Sequence, residues 1–159
     1  GQISRELAGR AMKTHMYKGS LSGKGQDNAG NIYMPMDGRE NNKNSKYKEV
    51  FKNNRAQYSV AIANRFYNTY RCVVKGEYVD PDEMISIDSA NVSNMVKLRS
   101  EVCRIPRKPN NNGLEQIMTK QEMKKLEIES PNMFDSVVMA FANPKTTVKR
   151  PFKPQKRKY

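Results

Sequence analysis

The chain has 159 residues and a mass of 18.3 kDa, enough for one domain with a real core and too few for two comfortable ones. Only 36% of the residues are hydrophobic and mean hydropathy is -0.88, so a small centre must carry long polar excursions. Lys and Arg number 29 against 16 Asp and Glu, a formal net charge of +13 with a pI near 9.8; the excess favours a polyanionic partner, nucleic acid ahead of an anionic membrane, because no basic amphipathic helix is present.

No apolar run approaches the roughly 18 residues of a membrane span. Cys72 and Cys103 lie far apart with no CxxC motif, and His15 is the one histidine. That excludes a zinc finger and disfavours a disulfide scaffold, leaving two reduced thiols. The chain opens on Gly1, without an initiator Met or a signal-peptide pattern, and is expected to be a piece of something longer.

From Gly1 to Tyr17, Ile3, Leu7, Met12 and Met16 keep a helical spacing that ends near Gly19. The loop GSLSGKGQDNAG follows. Its GxxxGKG is one residue short of a phosphate-binding loop and lacks the Ser or Thr that would hold magnesium. Asn31 to Gly38, NIYMPMDG, reads as a short strand, with Pro35 placing it at an edge or an end. A polar loop then leads to the longest helix, Phe51 to about Arg71, on which Phe51, Tyr58, Ile62, Phe66 and Tyr70 form one core-facing aromatic stripe.

Lys75-Gly76 reads as a turn and Met84 to Ile87 as a second strand. Asp88 or Ser89 is placed to cap a helix that carries Val92, Met95, Leu98 and Val102 on one face, while Asp80, Asp82 and Glu83 fall in a solvated loop. RIPRKPNNNG, Arg104 to Gly113, must break that helix. LEQIM is a strand candidate, and Thr119 with Glu122 forms a capping box for TKQEMKKL. Ser130 as N-cap and Pro131 at the first helical position open a last helix, which Asn143 and Pro144 end. The segment from Pro144 to Tyr159 carries seven basic residues, no acidic one and three prolines, and is expected to be disordered in isolation.

That last helix, MFDSVVMAFA from Met133 to Ala142, is strongly apolar and holds a single carboxylate, Asp135. With Ser130 as cap, Asp135 falls in the second turn, beyond the free N–H groups, and Pro131, Asn132, Val138 and Met139 at helical spacing offer it no cation. Burying it unpaired would cost more than the roughly 2–7 kcal/mol of a neutral polar group. Three readings stay open: a solvent-facing Asp, a buried Asp bonded to tertiary partners, or a metal ligand.

SPNMFDSVVMAF, preceded by IMTKQEMKKL, resembles the C-terminal end of the nuclease domain of the large terminase subunit, the DNA-packaging motor of tailed, headful-packaging bacteriophages. FKNNRAQ, Phe51 to Gln57, resembles that family's aromatic-x-N-x-RA-E/Q helix start. IYMPMDG is similar to the strand before it, and MVKLRSEVCRIPRKPNNNG to the segment that links helix to last strand. The resemblance covers Ile32 to Ala142.

It implies an α/β, RNase H-like fold, a mixed central sheet flanked by helices. Three acidic residues would hold two divalent metals, Mg2+ or Mn2+, for phosphodiester hydrolysis of concatemeric viral DNA. Asp135 matches the third acid, both catalytic and metal-binding. The other two belong on strands expected upstream of this chain, so residues 1–143 read as an N-terminally truncated domain and 144–159 as a basic tail. Many members carry Asp or His where this chain has Asn132.

In such a protein Arg104, Arg107 and Lys108 would contact DNA phosphates. Lys149, Arg150, Lys153, Lys156, Arg157 and Lys158 of the tail would touch DNA or a partner. The implied partners are double-stranded DNA, the terminase ATPase domain of the same full-length chain, the portal protein and the small terminase subunit, and no membrane. The implied setting is the host cytoplasm at the procapsid portal. The alternative is a non-catalytic basic DNA-binding or assembly module in which Asp135 is structural.

Overall fold

The computed structural model describes residues 17–35, 44–108 and 112–142. The helix expected over Gly1 to Tyr17 and the whole basic tail, with Lys149, Arg150, Lys153, Lys156, Arg157 and Lys158, lie outside those residues, apart from Tyr17 itself. Among the described residues the α-helices are α1 (Tyr47–Val50), α2 (Asn54–Lys75), α3 (Met95–Cys103), α4 (Lys120–Lys125) and α5 (Asn132–Phe141), with 3-10 turns at Gly23–Gly25 and Pro81–Glu83. None of them is long and apolar enough to cross a membrane.

α2 starts three residues later than the sequence spacing predicts, because Asn53 is its N-cap: the Asn53 side chain accepts the N–H of Ala56 at 3.0 Å. The next free N–H groups, those of Asn54 and Arg55, donate to Leu21 O and Gly19 O at 2.9 Å each, so the glycine-rich loop closes the helix with its own carbonyls. Phe51 is buried but precedes α2. Gly76 ends the helix at φ +69°, the left-handed position a C-cap glycine takes without strain.

The core forms where α2 and α5 meet. Tyr58 and Ile62, one helical turn apart, pack with Phe134 and Val138, also one turn apart, and with Ile85; Phe66 and Val102 border them. Phe134 and Val138 are 3% and 1% exposed, so each contributes about 1.5–3 kcal/mol through burial. α3 also packs against α5. Tyr70, expected in the core, is instead half exposed and stacks on Tyr67, because the last turns of α2 run past the layer that α5 covers.

The two early strand expectations end differently from the last. Around Ile32 there is one antiparallel bridge, to Lys46, and Met36 to Gly38 lie outside the described residues. Met84 to Ile87 is extended but pairs with no strand among the described residues: Thr69 Oγ1 donates to Ile85 O at 2.8 Å and accepts Ile85 N–H at 3.0 Å, and Arg65 donates to Met84 O. Side chains of α2 thus occupy the backbone groups that a ladder would have used.

LEQIM does pair, on both sides. Glu115 bridges Phe51 in parallel sense, Ile117 bridges Arg107 in antiparallel sense, and four backbone hydrogen bonds of 2.7–3.1 Å join the three segments. The pattern is mixed, yet among the described residues every bridge is isolated, and no strand longer than a bridge forms.

α3 is capped neither by Asp88 nor by Ser89. Asn94 takes that place, accepting Lys97 N–H at 2.9 Å, and Asp88 closes a tight turn through Ala90 and Asn91. Leu98 of the predicted apolar face is buried, and Val102 borders the core, while Val92 precedes the helix. The capping box at Thr119 and Glu122 opens α4 as expected. Asp80, Asp82 and Glu83 are exposed, and Cys72 and Cys103 are free thiols.

Candidate functional site

Asp135 sits one helical position earlier than the sequence reading assigns it. The N-cap of α5 is Pro131, and the Ser130 hydroxyl points to Asn132 Oδ1 at 3.0 Å instead of capping the helix. Asp135 therefore belongs to the first turn, where the helix dipole favours an anion. One N–H of that turn is provided for from elsewhere: Glu101 of α3, 8% exposed, accepts the Phe134 N–H with Oε2 at 2.9 Å.

The carboxylate is 19% exposed and is paired by cations from distant elements. Arg55, in the first turn of α2, places Nε and Nη2 both 3.4 Å from Oδ1 and donates Nη1 to Met118 O at 2.8 Å. Lys120, the first residue of α4, puts Nζ 2.9 Å from Oδ2 and 3.2 Å from Asn132 Oδ1. Of the three readings left open for Asp135, tertiary pairing is the one this geometry meets directly. A cation in a helix's first turn works against the dipole by roughly 0.3–1 kcal/mol. Arg55 and Lys120 both accept that local penalty, and Asp135 repays it.

These side chains line an open groove of about 510 Å³ together with Tyr17, Ser136 and Met139. The Tyr17 hydroxyl is buried and has no hydrogen-bond partner among the described residues. Burial raises its pKa to about 12, and the negative charges of Asp135 and Asp27 push the same way while Arg55 opposes them. Asp27, absent from the sequence candidates, accepts hydrogen bonds from Tyr58 Oη at 2.9 Å and Asn54 Nδ2 at 3.1 Å. Burial and the Asp27 hydrogen bond also raise the Tyr58 pKa.

As a cation site, the groove supplies two hard oxygens, Asp135 Oδ2 and Asn132 Oδ1, that converge on the Lys120 ammonium. Both are oxygens of the kind that a hard divalent cation takes, and here they hold the Lys120 ammonium. Among the described residues no three His, Cys, Asp or Glu side chains gather as metal ligands.

The predicted DNA contacts are not gathered at this groove. Arg104 is exposed and lines a separate cleft between α3 and the stretch from Met123 to Pro131, and Arg107 lies 3.8 Å from Glu115. Lys108 is held by Glu122, whose carboxyl is lowered to about 2 mainly by that lysine and then by Thr119. Sequence reading missed Arg55 and Lys120, although each carries a local signal: a cation at the start of a helix, where a neutral or acidic residue is favoured.

No protein-family model and no curated protein matches the chain. Solved structures do. A mutant nuclease domain of the large terminase subunit gp2 of bacterial virus Sf6, with manganese and beta-thujaplicinol, is 38% identical with a TM-score of 0.73, over 91% of this chain and 59% of that one. The Sf6 nuclease domain without a named ligand gives 37% identity and a TM-score of 0.69, covering 91% and 62%. The chain is a relative of the terminase nuclease domain. A further Sf6 mutant, with calcium, is 38% identical with a TM-score of 0.67. The terminase-like chain thus spans about three-fifths of the length of the domains it matches.

Proposed function

We propose that this chain is the C-terminal part of a divalent-metal-dependent endonuclease that cleaves concatemeric viral DNA during packaging into capsids. The observation that carries the reading is Asp135: a carboxylate in an open groove, with Oδ2 and Asn132 Oδ1 already gathered on a cation. The same chain is 38% identical to a nuclease domain solved with manganese. A complete site would hold two Mg2+ or Mn2+ ions, which activate water and stabilise the leaving oxygen. Asp135 is the third acid, and the other two come from outside the described residues.

The finer fold belongs to the same proposal: an RNase H-like mixed sheet, of which the bridges of Glu115 and Ile117, one parallel and one antiparallel, are the central part. Residues 1–143 form the domain fragment and 144–159 a basic tail. DNA phosphates are met by the exposed Arg104 and Arg107, by Lys108 once it leaves Glu122, and by tail residues Lys149 to Lys158 in a salt-sensitive, sequence-blind manner. The terminase ATPase domain, portal and small subunit complete the machine at the procapsid in the host cytoplasm.

One observation favours the alternative, a non-catalytic basic DNA-binding or assembly module. Asp135 already has two cationic partners, which a structural carboxylate requires. Plasmid cleavage by a longer form of the protein with manganese separates the two. Asp135→Ala is expected to fold and to lose at least about 100-fold in rate, beyond what loss of an outer-shell partner typically costs. A folded variant that cuts as fast as its parent refutes the metal-site assignment.

A further inference from the structure

Asp135 is engaged asymmetrically. An arginine that pairs with a carboxylate in the forked mode offers one N–H to each oxygen and uses both. Arg55 does otherwise: Nε and Nη2 both address Oδ1, each at 3.4 Å, and Nη1 is committed to Met118 O at 2.8 Å. Among the described residues Oδ2 is left to Lys120, at 2.9 Å.

The two cations also differ in their freedom to move. Arg55 is 18% exposed, its backbone N–H is bonded to Gly19 O, and its planar group is fixed at both edges. Lys120 is 53% exposed, on a flexible four-carbon stem. Arg55 keeps its place while Lys120 can swing into solvent. Met118 directly precedes the capping box that starts α4, so the same guanidinium that holds Oδ1 also fixes where Lys120 emerges.

We propose that Arg55 is a positioning residue that divides the Asp135 carboxylate, holding Oδ1 inward and presenting Oδ2 to the groove as the oxygen that exchanges partners. The inference rests on the proposed function only for the identity of the incoming cation. Its geometry stands without a metal. Lysine cannot replace Arg55, since one ammonium does not span Oδ1 and Met118 O with a rigid fork.

The test uses the 159-residue chain in solution. The ε-carbon signal of Lys120, followed by NMR, is expected to shift on Asp135→Asn in the parent protein. It should lose at least half of that response in Arg55→Lys and in Arg55→Gln, with circular dichroism reporting the fold. Arg55→Lys keeps the charge and decides the point if Arg55→Gln does not fold. An undiminished Lys120 response in either folded variant overturns the inference. Manganese added to the parent should broaden amide signals around Asp135, at a concentration that rises about tenfold or more in Arg55→Lys. If the parent shows no such broadening while the Lys120 response behaves as expected, the metal reading fails and the role of Arg55 stands.

Discussion

Glu101 caps Phe134: a buried carboxylate on α3 accepts, at 2.9 Å, the N–H of the residue that immediately precedes Asp135 on α5. A capping group supplied from a neighbouring helix does two things that a local serine cannot. It ties the α3–α5 interface together, and it sets the rotation at which α5 delivers Asp135 to the groove.

Glu101→Ala should therefore destabilise the fold by about 1–3 kcal/mol, the cost of leaving a buried N–H without its acceptor. Glu101→Gln keeps an acceptor oxygen and should cost no more than about 1 kcal/mol. Urea unfolding of both variants measures the difference. Equal midpoints for Glu101→Ala and the parent would mean that the cap contributes nothing.

Asn54 is 1% exposed and works as a clasp between the glycine-rich loop and α2. Its Oδ1 accepts Asp27 N–H at 2.8 Å, and Nδ2 donates to Lys18 O and Asp27 Oδ2. Asn54→Ala removes all of these and is expected to cost about 2–4 kcal/mol. Because the loop carbonyl of Gly19 also receives Arg55 N–H, protection from hydrogen exchange should fall at Arg55 along with global stability. A loss of stability that leaves Arg55 protection proportionate to the rest of α2 would argue against a local clasp.

How far these contacts can be read in the sequence depends on whether their cause is local. The α4 capping box is local and stands where the spacing puts it; the Lys75-Gly76 turn is there too, but α2 runs on to Lys75 instead of ending near Arg71, with Gly76 as its C-cap. The last helix and its carboxylate are equally visible, and the resemblance carried by SPNMFD leads to the terminase nuclease neighbours. What decides the environment of Asp135 is not local. Arg55 is 80 residues away, and Glu101, whose cap displaces the expected Ser130, is 33 residues from Phe134. The Met84–Ile87 strand fails for the same reason, since Thr69 reaches it across the fold.

Tyr17 makes the groove sensitive to alkali. Its folded pKa is raised from 10.0 to about 12, first by burial and then by the charge of Asp135. A raised value stabilises the folded state fully below the unfolded pKa near 10, and that stability is lost as pH climbs through about 12. Tyrosinate absorbance should show Tyr17, identified by Tyr17→Phe, ionising late in the parent. In Asp135→Asn it should ionise earlier, though still above 10 because burial remains. An unchanged titration in Asp135→Asn would show that the two groups do not sense each other.

Lys108 and Glu122 test the DNA-facing side of the proposal. The lysine is the largest cause that lowers the Glu122 carboxyl from 4.5 to about 2, with the Thr119 capping bonds next. For a depressed carboxyl the linked stability is present above the unfolded pKa and is lost as pH falls through the folded one, so the window runs from about 4.5 down to about 2. Lys108→Ala should return the Glu122 carboxyl part of the way towards 4.5, the Thr119 bonds holding the rest, as a carboxyl NMR titration would read. If Lys108 meets a phosphate when DNA binds, it must first leave Glu122, and Glu122→Gln removes that competitor. Affinity for a short duplex at low salt should then rise about threefold to tenfold, and Lys108→Ala should flatten the dependence of log affinity on log salt by about 0.9. Should Glu122→Gln bind no more tightly and Lys108→Ala leave the slope untouched, Lys108 serves only to anchor α4 and the DNA lies elsewhere.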